Sequence, residues 1–210
     1  MLVAIDGLTT VGKTSISKLL GEKLNYPVFN SGNIYRLITL DLVEHSLTPT
    51  DIDEIITRLP SIKINITSHG MFLNGKDVTS KLEDEYISLN ALNFSTIKEV
   101  KDYVRFIQKE FIKNNKDLIM EGRDIAERIM PTADIKFYLY ASTDQRSTWL
   151  AKKRPNLTTD QLIAEIAYRD KKDIESKNFL KPKTAIEIDT GSMTQEEVVH
   201  FMLEKIKNVK

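Results

Sequence analysis

The chain has 210 residues, 41% of them hydrophobic and 29% charged, with 30 Lys plus Arg set against 30 Asp plus Glu and no cysteine. That length buries a sizeable core, either one enlarged domain or a core with an insertion, and the composition is that of an ordinary globular chain. The charge balance disfavours clamping a long nucleic acid through its phosphates, and the missing cysteines exclude a disulfide framework, a zinc–thiolate site and thiol catalysis. No apolar run approaches membrane-spanning length and no charged-then-apolar leader opens the chain, so it is expected in the cytoplasm, away from membranes.

Residues 2–6 form a short apolar run, 7–14 a loop with two glycines, and 15–24 set Ile16, Leu19, Leu20 and Leu24 at helical spacing. The chain thus opens as strand, loop, helix. Residues 26–29 read as a second strand ending in turn chemistry at Asn30-Ser31-Gly32, before a helical pattern from Ile34 to about Val43. Between about 46 and 90 the pattern changes character. Residues 61–66 alternate like a strand, Phe72-Leu73 resembles another, and Asn74-Gly75 ahead of Asp77-Val78 is a strong hairpin signal, which predicts a small insertion on the core. A long helix over about 96–113, strands at 117–120 and 135–140, and a helix over 143–152 follow. Pro155 stops that helix, residues 158–176 are helical and highly charged, and a strand at 185–189 precedes a closing helix over 194–209. Strands alternating with helices predict a parallel sheet in an α/β fold, without internal repeats.

Gly7-Leu8-Thr9-Thr10-Val11-Gly12-Lys13-Thr14, followed by Ser15, fits G-x-x-x-x-G-K-[ST]. The glycines let backbone N–H groups curl around phosphate oxygens, and the next helix adds its positive N-terminal end. In this reading an exposed Lys13 reaches the β- and γ-phosphates and the Thr14 hydroxyl binds Mg²⁺. A glycine turn with a surface lysine would share the pattern, but the position between a strand and a helix favours the phosphate loop. Leu118-Ile119-Met120-Glu121-Gly122-Arg123-Asp124 is a second feature: an apolar strand carries Glu121 to a sheet edge, where it could hold a metal's water shell. The third is a run of cations from Arg146 through Lys152, Lys153, Arg154 and Arg169 to Lys183. Much of it reads as solvated helix, yet Arg169 and Asp173 are four apart and could hold a phosphate and a ribose hydroxyl side by side. His45, His69 and His200 lack ligand spacing and are assigned to the surface, and Trp149 to packing.

With these motifs in order, the chain resembles the bacterial cytidylate kinases, P-loop nucleoside monophosphate kinases, from about Leu2 to Leu203. The resemblance rests on Ala4-Ile5-Asp6-Gly7 with the phosphate loop, Ser31-Gly32-Asn33-Ile34-Tyr35-Arg36, the stretch from Phe72 to Thr79, Glu121-Gly122-Arg123-Asp124-Ile125, Arg169-Asp170 with Asp173, and Ala185-Ile186-Glu187-Ile188-Asp189-Thr190. It implies one P-loop kinase domain over 1–210: a core of about 1–38, 96–152 and 177–210, an acceptor-binding insertion of about 39–95 and a helical lid of about 153–176. It implies transfer of the ATP γ-phosphoryl group to CMP or dCMP with Mg²⁺, by a monomer whose partners are small nucleotides. Lys13, Arg123 and Arg169 are then catalytic, and residues 7–15 with Arg146 bind ATP. Ser31, Arg36, Lys101, Arg123 and Arg169 meet the acceptor, Asp124 reads the cytosine edge, Asp173 the ribose, and Thr14 and Glu121 serve the metal, Glu121 through water.

The departures gather on the acceptor side. Leu92 stands where the family has a serine facing the base, Lys101 where it has an arginine, and Ser176 where it has a lid arginine. Asn30 replaces a frequent aspartate, Ala126 a glycine, and Trp149-Leu150 an arginine pair in the helix after Arg146, and the lid is shorter by several residues. Two other readings stay open: a paralogous kinase for another nucleoside monophosphate or small acceptor, and an ATP-binding sensor with little transfer activity.

Overall fold

The computed structural model describes residues 1–67 and 70–209. In chain order its elements are β1 (Leu2–Gly7), α1 (Lys13–Leu24), β2 (Val28–Asn30), α2 (Ser31–Glu44), α3 (Ile52–Arg58), β3 (Ile64–Thr67), β4 (Gly70–Leu73) and β5 (Lys76–Asp77). There follow α4 (Glu85–Phe94), α5 (Lys98–Asn114), β6 (Leu118–Gly122), a π turn at Ile125–Ile129, β7 (Ile135–Tyr140), α6 (Thr143–Ala151), α7 (Thr159–Glu175), β8 (Ile186–Asp189) and α8 (Gln195–Lys207). They form two compact units: Met1–Asn30 with the chain from Ile112 onward, and Ser31–Phe111.

The first unit is built on a parallel five-stranded sheet in the order β2-β6-β1-β7-β8. β1 and β6 are apolar on both faces because helices cover both sides of a central parallel strand. Val3, Ile5, Phe137 and Leu139 meet Ile16 and Leu20 of α1 and Val198, Met202 and Ile206 of α8 in one core cluster. β1 pairs with β6 so that Asp6 lies opposite Gly122, which brings the phosphate loop and the Glu121–Asp124 segment to the same edge of the sheet. The starts of α6, α7 and α8 are encoded locally. Ser142 with Gln145, Thr158 with Gln161 and Thr194 with Glu197 each form a reciprocal capping box. The charged stretch of the expected lid also has its own apolar contact: Leu150, Leu162 and Ile166 are buried together, with Leu157 against them.

In the second unit, β3, β4 and β5 form an antiparallel sheet, and α2 packs on α4. The hairpin signal at Asn74-Gly75 is the β4–β5 turn, with φ of +50° and +82° at these residues. Buried Asp41 of α2 ties the unit together. It accepts both arms of the Arg58 guanidinium, at 2.7 and 2.9 Å, and the Asn74 amide at 2.7 Å. Burial alone would raise its carboxyl, but the Arg58 fork and the Asn74 amide hold it below the ordinary carboxylate range. This unit is wider than the expected insertion of about 39–95, because α2 and most of α5 belong to it. The turn expected at Ser31-Gly32 is also absent: both residues are in the first turn of α2, and Ser31 is buried. Trp149 is half-buried, His45 and His200 are exposed, and His69 lies outside the described residues. Among the described residues, no helix is long and apolar enough to cross a membrane.

Candidate active site

The phosphate loop leaves β1 at Gly7, where a Cβ would stand 2.4 Å from the Leu139 carbonyl oxygen and 2.9 Å from Val11 Cγ2. Only glycine lets the loop pass β7 this closely. Thr10 and Gly12 take left-handed φ values of +58° and +88°, which turn successive N–H groups inward. Lys13 departs from expectation. It is 6% exposed, and its Nζ donates to the carbonyls of Gly7 at 2.9 Å and Leu8 at 2.7 Å. The loop folds back over the first turn of α1 and covers the ammonium, so the loop's own carbonyls take up its donors. Burial pushes the Lys13 pKa down to about 7, helped by the nearby Arg123 and opposed by Glu121, Asp173 and Asp6.

Thr14 Oγ1 donates to Glu121 Oε1 at 2.7 Å, and the Asn30 amide donates to the same oxygen at 2.7 Å. A hydroxyl and a carboxylate oxygen in contact are a hard-oxygen donor set. Among the described residues no three His, Cys, Asp or Glu side chains gather into a cage. That combination fits magnesium, which keeps several waters and takes few protein ligands beside phosphate oxygens.

Four ion pairs hold the remaining candidates of the first unit. Arg123 Nε donates to Asp173 Oδ2 at 2.7 Å and its Nη1 to the Gly7 carbonyl at 3.2 Å. Burial disfavours the Arg123 charge, but Asp173 outweighs it and raises the pKa. Arg146 donates to Asp170 Oδ2 at 2.6 Å and to the Thr9 carbonyl at 3.1 Å, while the Thr9 N–H reaches Asp170 Oδ1 at 3.2 Å. α7 is therefore pinned to the phosphate loop at Asp170 and to Arg123 at Asp173. Arg169 pairs with Glu165 at 2.9 Å, and burial lowers its pKa against that partner. Arg169 and Asp173 do lie on one helix, but each holds a different partner. Asp124 Oδ2 accepts from Arg128 at 3.1 Å.

Ser31, Arg36 and Lys101 belong to the second unit. Ser31 Oγ accepts from the buried Gln108 amide at 2.7 Å. Arg36 donates to Asn33 at 3.2 Å and to Ser88 at 3.4 Å. Lys101 and Leu92 are half-buried, on α5 and α4.

Sequence reasoning missed Gln108, the pinning role of Asp170, and Asp6. The last carried a signal: it is a carboxylate closing an otherwise apolar strand. Asp6 is fully buried and accepts the N–H groups of Ile125 at 2.9 Å and Ala126 at 2.8 Å. Burial, against those two bonds, raises its pKa from 3.8 to about 6. A raised carboxylate pKa means the fold prefers the protonated form, so this group's contribution falls as pH rises from about 4 to 6 and stays constant above. Relative to Asp6→Asn, the wild type should lose about 3 kcal/mol of stability across that window. Urea unfolding of both proteins at pH 4 and pH 7 measures it, and an unchanged gap would show that Asp6 titrates alike folded and unfolded.

The family model described as cytidylate kinase matches residues 3–208. A cytidylate kinase of Fusobacterium nucleatum is 34% identical over 216 residues, covering 100% of this chain and 99% of that protein. One from Caldicellulosiruptor bescii is 35% identical over 212 residues, covering 96% of this chain and 93% of its own. Among solved structures, a shikimate kinase from Bacteroides thetaiotaomicron superposes with a TM-score of 0.51 at 13% identity, covering 99% of this chain and 98% of its own. A gluconokinase from Sinorhizobium meliloti gives 0.52 at 9% identity, covering 99% and 91%. At such identities the two structures bear on the fold alone, and it is the α/β kinase fold expected from the motif order.

Proposed function

The chain belongs to the cytidylate kinase family, and from that premise we propose how its own residues carry out transfer of a phosphoryl group from ATP to CMP or dCMP. It is a nucleoside monophosphate kinase. An oxygen of the acceptor phosphate attacks the γ-phosphorus, the bond to the β–γ bridging oxygen breaks, and ADP leaves; no covalent enzyme intermediate is required. The observation that carries this reading is the contact of Lys13, Thr14 and Glu121 with one phosphate loop and one sheet edge.

Residues 7–15 cradle the ATP phosphates with their backbone N–H groups. Lys13 exchanges the Gly7 and Leu8 carbonyls for phosphate oxygens, and the gain of a negative partner restores its full charge. Arg146 turns from Asp170 toward ATP. Thr14 and Glu121 would hold magnesium, Glu121 through water, and the ion would neutralise phosphate charge. Ser31, Arg36, Lys101, Arg123 and Arg169 grip the acceptor phosphate and base, since guanidinium forks match phosphate oxygens. Asp124 accepts from the cytosine amino group and Asp173 from a ribose hydroxyl. The protein acts as a monomer in this reading, since one chain supplies every group named.

Leu92 and Lys101, in place of the family's serine and arginine, favour a second reading with a different acceptor. ADP release with Mg·ATP across CMP, dCMP, UMP, dTMP, AMP and GMP separates the two. A cytidine nucleotide should show the highest kcat/KM. A tenfold advantage for another base would transfer the substrate assignment, and no release with any acceptor would remove the transfer reaction itself.

A further inference from the structure

The π turn at Ile125–Ile129 begins immediately after Arg123 and Asp124, and its first N–H groups have no partner within the turn. Asp124 is the residue placed to cap it, and aspartate is among the best capping side chains. Yet the Asp124 side chain makes no capping bond, and its Oδ2 accepts from Arg128 instead. The cap comes from the next strand: Asp6 Oδ1 takes the Ile125 N–H and Oδ2 the Ala126 N–H. β1 and β6 pair with Asp6 opposite Gly122, which sets the carboxylate under the turn.

We propose that Asp6 is a positioning residue for acceptor recognition: by capping the turn from β1 it keeps Asp124 out of the cap position and fixes the backbone that presents Arg123 and Asp124. The proposal rests on Asp124 reading the base. A carboxylate is required because both N–H groups need an acceptor. An asparagine offers one oxygen and turns an NH₂ group toward the second N–H. With one amide unsatisfied, Asp124 becomes the nearest replacement acceptor and is drawn from the acceptor into the cap. The site tolerates little else: Asp6 has no exposed surface, and its carboxyl stays ionised above pH 7 although burial raises it to about 6.

The test compares wild type, Asp6→Asn, Asp124→Ala and the double variant at pH 7.5, with CMP and UMP as acceptors. Asp6→Asn should raise the CMP KM about tenfold and shrink the preference for CMP over UMP, with the ATP KM changed less than about twofold. Asp124→Ala should abolish the base preference, and adding Asp6→Asn to it should change that preference little further. If Asp124→Ala leaves the preference intact, the base-reading assignment falls and the proposal falls with it. If Asp124→Ala abolishes the preference but Asp6→Asn spares it, or shifts the ATP KM as much as the CMP KM, the proposal alone is overturned. Should Asp6→Asn fail to fold, hydrogen exchange of the wild type decides. The Ile125 and Ala126 amides should be protected at least about a hundredfold, and exchange at the unprotected rate would overturn the cap.

Discussion

Replacing Lys13 with methionine should lower kcat/KM by about a thousandfold or more while the protein unfolds at an unchanged or slightly higher temperature. The loss of activity follows from removing a preorganised positive charge where negative charge develops on the transferring group, worth roughly 4 kcal/mol. The stability result follows from burial. Lys13 is 6% exposed and its pKa is pushed down to about 7, so the fold holds this charge in unfavourable surroundings. Methionine fills similar volume without that desolvation. The two bonds to the Gly7 and Leu8 carbonyls are lost, at about 1 kcal/mol each, and the gain offsets them. Steady-state kinetics and a thermal melt on the same sample check both halves. Activity within tenfold of wild type would remove Lys13 from the chemistry, and a large fall in melting temperature would make it a structural residue.

Arg123→Ala should give the opposite combination, loss of both activity and stability. Asp173 retains 9% of its side-chain exposure and its Oδ2 lies 2.7 Å from Arg123 Nε. Deleting the guanidinium leaves that carboxylate buried without its counter-charge, which costs about 3 kcal/mol. Adding Asp173→Asn should recover most of the stability, because the stranded charge is gone. It should recover none of the activity, because the acceptor phosphate still lacks its fork. Denaturant unfolding of the two single variants and the double variant measures the coupling. Additive losses would mean that the pair is not the source of the effect, and activity returning in the double variant would take Arg123 out of acceptor binding.

The contrast between these variants reflects what local pattern carries and what it omits. The phosphate loop, the α/β order and the hairpin at Asn74-Gly75 were legible because each is written in neighbouring residues. Pairs between distant elements were not. Arg169 and Asp173 share a helix face by spacing, yet Arg169 binds Glu165 on its own helix and Asp173 reaches Arg123 from β6's end. Arg146 with Asp170, and Asp6 with the Ile125 and Ala126 amides, depend on strand order, which no local window contains. The burial of Lys13 depends on how the loop closes over it, and the motif specifies only that the loop exists.

The capping box at Thr158 has a consequence for chain length. Thr158 and Gln161 fix where α7 begins, so the angular positions of Asp170 and Asp173 are counted from that point. Each residue inserted or removed between the cap and Arg169 swings everything beyond it by roughly 100°, taking both carboxylates off the phosphate loop and Arg123. Removing residues ahead of Thr158, in the connection after α6, leaves that angle untouched. The connection between α6 and α7 can therefore grow or shrink while α7 remains of nearly fixed length, so homologues differing in the length of this segment should carry their gaps before this threonine.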